Sequence, residues 1–284
     1  NVDTKNCVIS ISIIRQHISL VSINDQQNAS MPEGEYRFRI VDNDLISVGS
    51  YPIEISMNYI EVGHNYIDAA WTGYGIANWE RRGTLYENWY IHHNVFTKIA
   101  SGWPSSVIQS RGGLKNLQFV NNTIHLEGPP VGIYAPYGPN VSQDITIANN
   151  IFLRTNLHDP YTEPAEDWLI YPRTNEGIHR IENVAITDNI FHGFPQKLST
   201  YISGLTQSGN QTVDPQLNLT GEAPFPFYEP KEGSIANILR AGARYYENNG
   251  ITGVDSIPED PELILDPGML DLPIRINAGG EAFV

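Results

Sequence analysis

The chain has 284 residues and a mass of 31.7 kDa, with 17 Lys plus Arg against 32 Asp plus Glu and a formal net charge of −15. So acidic a balance argues against nucleic acid or an anionic membrane surface as partner, since both are held through clustered cations, and no run of about 18 apolar residues is present to span a bilayer. Cys7 is the only cysteine, which excludes an intrachain disulfide and a cysteine-built zinc site, while the wealth of Gly (24), Pro (19) and Tyr (15) suits turn-rich β structure.

Apolar alternation begins at Cys7, Ile9 and Ile11, so close to Asn1 that we expect the chain to be a piece of a longer polypeptide. Tracts 6–14, 36–46, 59–67, 89–96, 117–124, 145–152 and 184–191 then share one pattern: apolar, any, apolar, two residues, Asn, any, apolar. Asn43, Asn65, Asn94, Asn122, Asn150 and Asn189 fill the Asn slot, and Ser12 takes it in the first tract. The spacings of 31, 22, 29, 28, 28 and 39 residues exclude a fixed-length solenoid and suit coils whose loops differ in length. Alternation marks a strand, and Asn marks a sharp turn, because its side chain tolerates left-handed backbone and bonds neighbouring amides. A shorter strand recurs upstream of each next tract, at 18–21, 53–56, 74–78, 107–110, 132–135, 168–171 and 201–203.

Strand, Asn turn and brief third strand in this order resemble the right-handed parallel β-helix superfamily, the pectate-lyase-like proteins, over about residues 6–205. The resemblance implies an all-β fold, a single-stranded right-handed parallel β-helix of about seven coils with an Asn ladder, which we assign to residues 1–212. Residues 213–284 are read as a capping segment and wrapping tail. Within them VDPQL (213–217) and FYEPKEGSIAN (227–237) resemble the closing segment of secreted bacterial β-helix proteins. Ser234 is placed to cap a helix running to about Asn248, with Ile235, Ile238, Leu239 and Tyr246 as its apolar stripe and Gly250 as its stop. Such a helix is expected to close the open end of the core. From Pro258 onward, Pro and acid suggest extended chain.

In this superfamily the site usually lies on the outside of the first sheet, the sheet of the shorter strands. With Ile55, Ile76, Ile108, Ile133 and Ile170 taken as inward, the next residues point out: Ser56, Ala77, Gln109, Tyr134 and Tyr171. Two places further lie Asn58, Trp79, Arg111, Pro136 and Arg173. Aromatic, amide and Arg side chains on one face resemble a groove in which sugar rings stack and Arg forks grip carboxylate or sulfate. At about 4.8 Å per coil, Arg111 and Arg173 are expected roughly 10 Å apart, near the length of two sugar units. Arg81, Arg82, Arg111, Lys115 and Arg173 would make a cationic island, unless they are solvated charges that pair with Glu80, Glu87 and Glu176.

Loop 154–167, with His158, Asp159, Tyr161, Glu163, Glu166 and Asp167, offers oxygen ligands for Ca²⁺, although its spacing matches no known calcium loop and a solvated acidic loop is the plainer reading. His64, His92 and His93 precede the Asn turn by one or two places. Adjacent strand residues face opposite ways, so His92 and His93 are expected to be structural rather than a metal pair. The five Asn-x-Ser/Thr sequons, at Asn28, Asn121, Asn140, Asn210 and Asn218, occur at near the rate expected in so Asn-rich a chain.

SVIQSRGGLKNLQFVNNTI (106–124), followed by VGIYAPYG (131–138), is faintly similar to the chondroitinase B and alginate lyase branch. There a Lys is the base, an Arg the acid, and Ca²⁺ neutralises the uronate. Here Arg111 stands where that Lys would be, and Pro136 and Tyr137 stand near its Arg-His. Arg is too firmly protonated to abstract a proton.

The expectation is a secreted, extracellular or cell-surface protein that binds an extended anionic polysaccharide. If it is an enzyme, it is a polysaccharide lyase or a glycoside hydrolase. Tyr134 or Tyr137 would carry the proton, Arg111 and Arg173 would neutralise charge, and Glu54, Asn58, Asn78, Trp79, Arg82, Gln109, Lys115 and Tyr171 would line the subsites. The alternative is a non-catalytic adhesin, spacer or filament subunit that self-associates through an uncapped N-terminal coil, whose strand edges invite pairing.

Overall fold

The structure is a computed structural model, and it describes residues 7–8, 21–24, 36, 38–41, 43–46, 52–68, 74–78, 84–97, 106–125, 131–134, 141–154, 169–173, 180–194, 198, 202–219 and 228–243. Its strands form three sheets, and the chain visits them in turn. The first sheet holds Val21–Asn24, Ile53–Ser56, Tyr74–Asn78, Ser106–Ser110, Val131–Tyr134 and Ile170–Arg173. The second, eight-stranded sheet holds Cys7–Val8, Phe38–Val41, Ile60–Gly63, Leu85–His92, Gly113–Val120, Ser142–Ala148, Ile181–Thr187 and Ile202–Ser208. The third holds Asp44–Ile46, Tyr66–Asp68, Val95–Thr97, Thr123–His125, Ile151–Leu153 and Ile190–His192. Neighbouring strands within each sheet pair in parallel, as they must when each belongs to the next turn of one winding. All-parallel sheets around a shared interior fit a parallel β-helix.

Alternation supplies the core. Ile40, Val62, Ile91, Phe119, Ile147 and Ile186 stack along the inside of the second sheet, and Leu45, Ile67, Phe96, Ile124, Phe152 and Phe191 along the third. Phe152 and Phe191 lie ring on ring at 4.9 Å and 9°. Trp89 is fully packed, and its indole N–H donates to the Met57 carbonyl at 2.9 Å, so the one polar atom of the ring is satisfied.

At the corner between the second and third sheets runs the Asn ladder. The backbone N–H and the side-chain amide of Asn43 both donate to Asn65 Oδ1, at 3.0 and 2.9 Å, and Asn65, Asn94, Asn122 and Asn150 repeat the pattern toward the next rung. Each amide also donates to a backbone carbonyl, as Asn94 does to Val62 O at 2.8 Å. Buried amides are tolerable only when satisfied in this way. The ladder continues one rung beyond the expected set, from Asn189 to Asn210 at 3.0 Å. Asn210 is thus a rung, its own amide donating to Ile186 O at 2.8 Å.

Two columns of left-handed residues recur on successive windings among the described residues. One precedes the ladder: His64, His93, Asn121, Asn149, Asp188 and Gly209, with φ between 52° and 67°. The other, Tyr59, Asn88, Asn116, Asp144, Asn183 and Gly204, lies six residues before a ladder Asn and bends the chain where it enters or runs along the second sheet.

Three expectations are corrected. Residues 201–203 are expected in the first sheet, but Ile202–Ser208 pairs with Ile181–Thr187 in the second. The first-sheet columns run Ile53, Ile76, Ile108, Val131 and Ile170, so the expected Ile55 and Ile133 are each two residues out of step. A shift of two preserves inside and outside, so alternation cannot detect it.

The third correction concerns the C-terminal helix. It is a single turn, Ile235–Ile238, capped as expected by Ser234 Oγ, which accepts from the Asn237 N–H at 3.1 Å. Ile238 and Leu239 of the expected stripe are exposed at 67% and 42%, and Ala236, Ala241 and Ala243 are buried instead. Their partners are Tyr66, Val95, Ile151 and Ile190, the outward column of the third sheet. The segment therefore lies along the side of the winding, against an apolar column that would otherwise meet water. Gly242 (φ 82°) makes the close approach possible: a Cβ there would stand 2.5 Å from Ile151 Cδ1. Tyr246 lies outside the described residues. No helix among the described residues is long and apolar enough to cross a membrane.

Candidate functional site

The observed register brings two of the expected catalytic positions, Tyr134 and Arg173, into one column and leaves a third, Arg111, just past the end of the neighbouring strand. Tyr134 pairs directly with Arg173, Ser110 pairs with Ile133, and Arg111 follows Ser110 with its N–H donating to Asn78 O at 3.3 Å. Tyr134 and Arg173 therefore share one register position, and continuing the Ser110–Ile133 pairing by one residue sets Arg111 beside them on the preceding winding. The expected pairing has Gln109, Tyr134 and Tyr171 together; instead Gln109, Gly132 and Tyr171 align.

Other residues of the expected groove are placed elsewhere or already engaged. Asn78 falls in the inward column opposite Ser110, is fully buried and donates to Ile55 O at 2.9 Å. Gln109, expected outward, is only 2% exposed, and Ser56 and Ala77 are also buried. None of these is open to a polymer laid along the surface. Asn58 Oδ1 accepts from the Glu87 N–H at 2.9 Å, holding the bend before Tyr59. Lys115 sits in the second sheet, not the first, 3.7 Å from Glu87, one of the partners foreseen for it. Glu54 is half-buried in the first sheet, in register with Ser22 and Ala77. Trp79, Arg82, Tyr137 and the acidic loop beyond Arg154, weighed as a Ca²⁺ site against a plain solvated loop, lie outside the described residues.

A second constellation is not anticipated by the sequence reading. On the outside of the second sheet Arg39 grips Glu61 through Nε and through Nη2, the latter at 3.0 Å. Glu61 Oε1 in turn lies 3.1 Å from His92 Nε2. Burial would raise the Glu61 carboxyl, but hydrogen bonds from His92 and Arg39 and the nearby positive charge outweigh it and hold the group down at about 2. The ionised carboxylate only accepts, so His92 Nε2 donates to it and leaves Nδ1 for other partners.

That Nδ1 faces His93 Nδ1 at 2.9 Å, and His64 stacks on His93 with centroids 4.8 Å apart and 13° between planes. Tyr90 stacks on the His92 ring at 4.1 Å. The expectation that His92 and His93 point apart fails for a local reason. His93 has φ 52°, and a left-handed residue breaks the alternation of a strand. His64, with φ 55°, fills the same slot on the neighbouring winding. Gly63 makes room, since a Cβ there would meet His92 Cε1 and Nε2 at 2.5 Å. The signal available in the sequence is the pair of His residues in a slot that elsewhere holds Asn, Asp or Gly.

Fold and sites together define a solenoid of parallel β-sheets, held by an Asn ladder, with a first-sheet Arg-Tyr-Arg column and a second-sheet histidine cluster. No family model matches the chain, and no curated protein or solved structure matches it.

Proposed function

We propose that this chain is a secreted, carbohydrate-active member of the right-handed, pectate-lyase-like β-helix class, which binds an extended anionic polysaccharide along its first sheet. The observation that carries the reading is the register of Arg111, Tyr134 and Arg173 on successive windings. Windings are about 4.8 Å apart, so the two Arg positions stand roughly 10 Å apart, near the repeat of every second sugar. Guanidinium groups pair with carboxylate or sulfate by two parallel hydrogen bonds, which suits a polymer with a charge at regular intervals. In an overall acidic chain, specificity for a polyanion has to come from such a local column rather than from net charge.

If the site is catalytic, β-elimination is the reaction these residue types favour: the Arg residues neutralise the uronate and Tyr134 carries the proton. Arg111 itself is too basic to be the proton acceptor.

The test is incubation with uronate polymers, following the absorbance of unsaturated chain ends and the release of reducing sugar, beside affinity electrophoresis in gels containing the same polymers. Retardation that is lost in Arg111→Ala and Arg173→Ala, and that weakens as salt is raised, supports the binding reading. Retardation unchanged in both variants removes it. Absence of unsaturated and reducing ends removes catalysis while leaving binding standing.

A further inference from the structure

We propose that His64, His92 and His93 form a binding site for a divalent transition cation of the zinc type, built across two neighbouring windings and separate from the polysaccharide face.

The donor set is three imidazoles, the ligand type suited to Zn²⁺, Ni²⁺ and Cu²⁺ and ill suited to Ca²⁺, which takes oxygen. Their ligand atoms lie within 4.8 Å of one another. The closest pair, His92 Nδ1 and His93 Nδ1, is 2.9 Å apart. Zn–N bonds of about 2.0–2.1 Å in tetrahedral geometry place ligand nitrogens roughly 3.3 Å apart. The close pair therefore has to open slightly, and the His64 ring has to swing inward by on the order of 1.5 Å, a movement that side-chain rotation supplies. His64 and His93 are half-buried, so the cluster reaches the surface and a cation has a way in.

Orientation is supplied by the surroundings. Glu61 receives the His92 Nε2–H, and Arg39 grips Glu61 from the other side. A carboxylate behind a ligating histidine sets its tautomer and raises its basicity, which is the usual second layer of an imidazole metal site. Tyr90 stacked on His92 fixes the plane of the ring. Without a cation the two Nδ1 atoms, 2.9 Å apart, share one proton. A cation that takes both lone pairs displaces that proton, to the remaining ring nitrogen of His93 or to solvent.

Backbone needs do not account for the histidines. The slot that His64 and His93 occupy requires only tolerance of φ near 55°, and on later windings Asn121, Asn149, Asp188 and Gly209 satisfy it. Two rings in that slot on adjacent windings, meeting the ring of His92 from the end of the intervening strand, make a chelate that Asn in the same places would not.

The experiment uses the chain as it stands, freed of metal, titrated with ZnCl₂ by calorimetry and with CoCl₂ by visible absorption. One equivalent is expected to bind, with Co²⁺ giving the d–d bands of a nitrogen-ligated tetrahedral centre. His64→Asn and His93→Asn put into the slot the residue it carries elsewhere, so the fold has a precedent for them. Each is expected to weaken Zn²⁺ by about 100-fold, and Glu61→Gln by roughly 10- to 100-fold. Wild type that binds Zn²⁺ no better than the His64→Asn/His93→Asn double variant overturns the site. Should that variant fail to fold, the Co²⁺ spectrum of the wild type decides alone: tetrahedral bands support the site, and the unchanged spectrum of aqueous Co²⁺ overturns it.

Discussion

The phenol of Tyr228 lies 2.5 Å from Nδ1 of His125, a residue 103 positions earlier in the chain, and 2.9 Å from the hydroxyl of Thr97 on the neighbouring winding. Burial holds His125 neutral, pushed down to about 4, and pushes the Tyr228 phenol up to about 12. With the phenol protonated and the imidazole neutral, the Tyr228 hydroxyl donates to one of these two partners and accepts from the other. Through this one hydroxyl the C-terminal segment is fastened to two windings of the third sheet.

Stability should therefore depend on pH in a defined window. His125 is depressed from an ordinary 6.5, so the unfolded chain binds more protons between about pH 4 and 6.5, and stability is lost as pH falls through that range. The full effect is on the order of 3 kcal/mol. Tyr228 is raised from an ordinary 10.0, so its contribution is present below about pH 10 and lost toward pH 12. The charge of Asp68 works in the same direction on Tyr228, disfavouring the phenolate. Urea unfolding from pH 4 to 7 should show a rising midpoint whose slope flattens in His125→Gln; equal slopes in both proteins would sink this account.

Tyr228→Phe keeps the ring and removes only the hydroxyl. It leaves His125 Nδ1 and Thr97 Oγ1 buried without their shared partner, at a cost of about 1–3 kcal/mol. Unfolding at pH 7.5 measures it, and a change below a few tenths of a kcal/mol would show that the contact contributes nothing.

Asn122→Asp tests the ladder with almost no change of shape. The Asn122 amide donates to Ile91 O at 3.0 Å and to Asn150 Oδ1 at 3.1 Å. A carboxylate there sets acceptor against acceptor in a buried place, which should cost about 3 kcal/mol or more and exceed the cost of Asn122→Ala. Equal unfolding midpoints for the Asn122→Asp variant and the wild type would mean that the ladder amides are not needed as donors.

Gly63→Ala should strain the second sheet next to His92, because the added methyl would come within 2.5 Å of the imidazole. Overpacking of this kind costs about 1–3 kcal/mol. Loss of the His92 to Glu61 hydrogen bond should be visible in the imidazole NMR resonances, and an unshifted His92 signal would contradict the packing described.

Much of the winding is readable because its strongest signal is chemical identity. Ladder Asn residues cannot be exchanged for other types without losing a donor or an acceptor, so they recur as Asn and set a frame for the apolar columns on either side. The bend six residues upstream recurs as Tyr59, Asn88, Asn116, Asp144, Asn183 and Gly204. Its requirement is conformational, several residue types meet it, and its signal is spread over them. Residues 201–203 are expected in the wrong sheet because the Asn210 rung goes unrecognised, and without that rung the tract has no frame.

The sequence by itself determined the parallel β winding, its inward alternation and six of the seven ladder asparagines among the described residues, since each follows from a local period or from one irreplaceable side chain. Tertiary structure alone decided the rest. First-sheet register is blind to a shift of two under alternation, so only the pairing of Tyr134 with Arg173 could align that column. The histidine cluster depends on His93 leaving the strand conformation, and the C-terminal segment on an apolar column assembled from separate windings. Contacts of that range have no signature in a neighbouring stretch of chain, because the groups that meet become neighbours only after the coils have stacked.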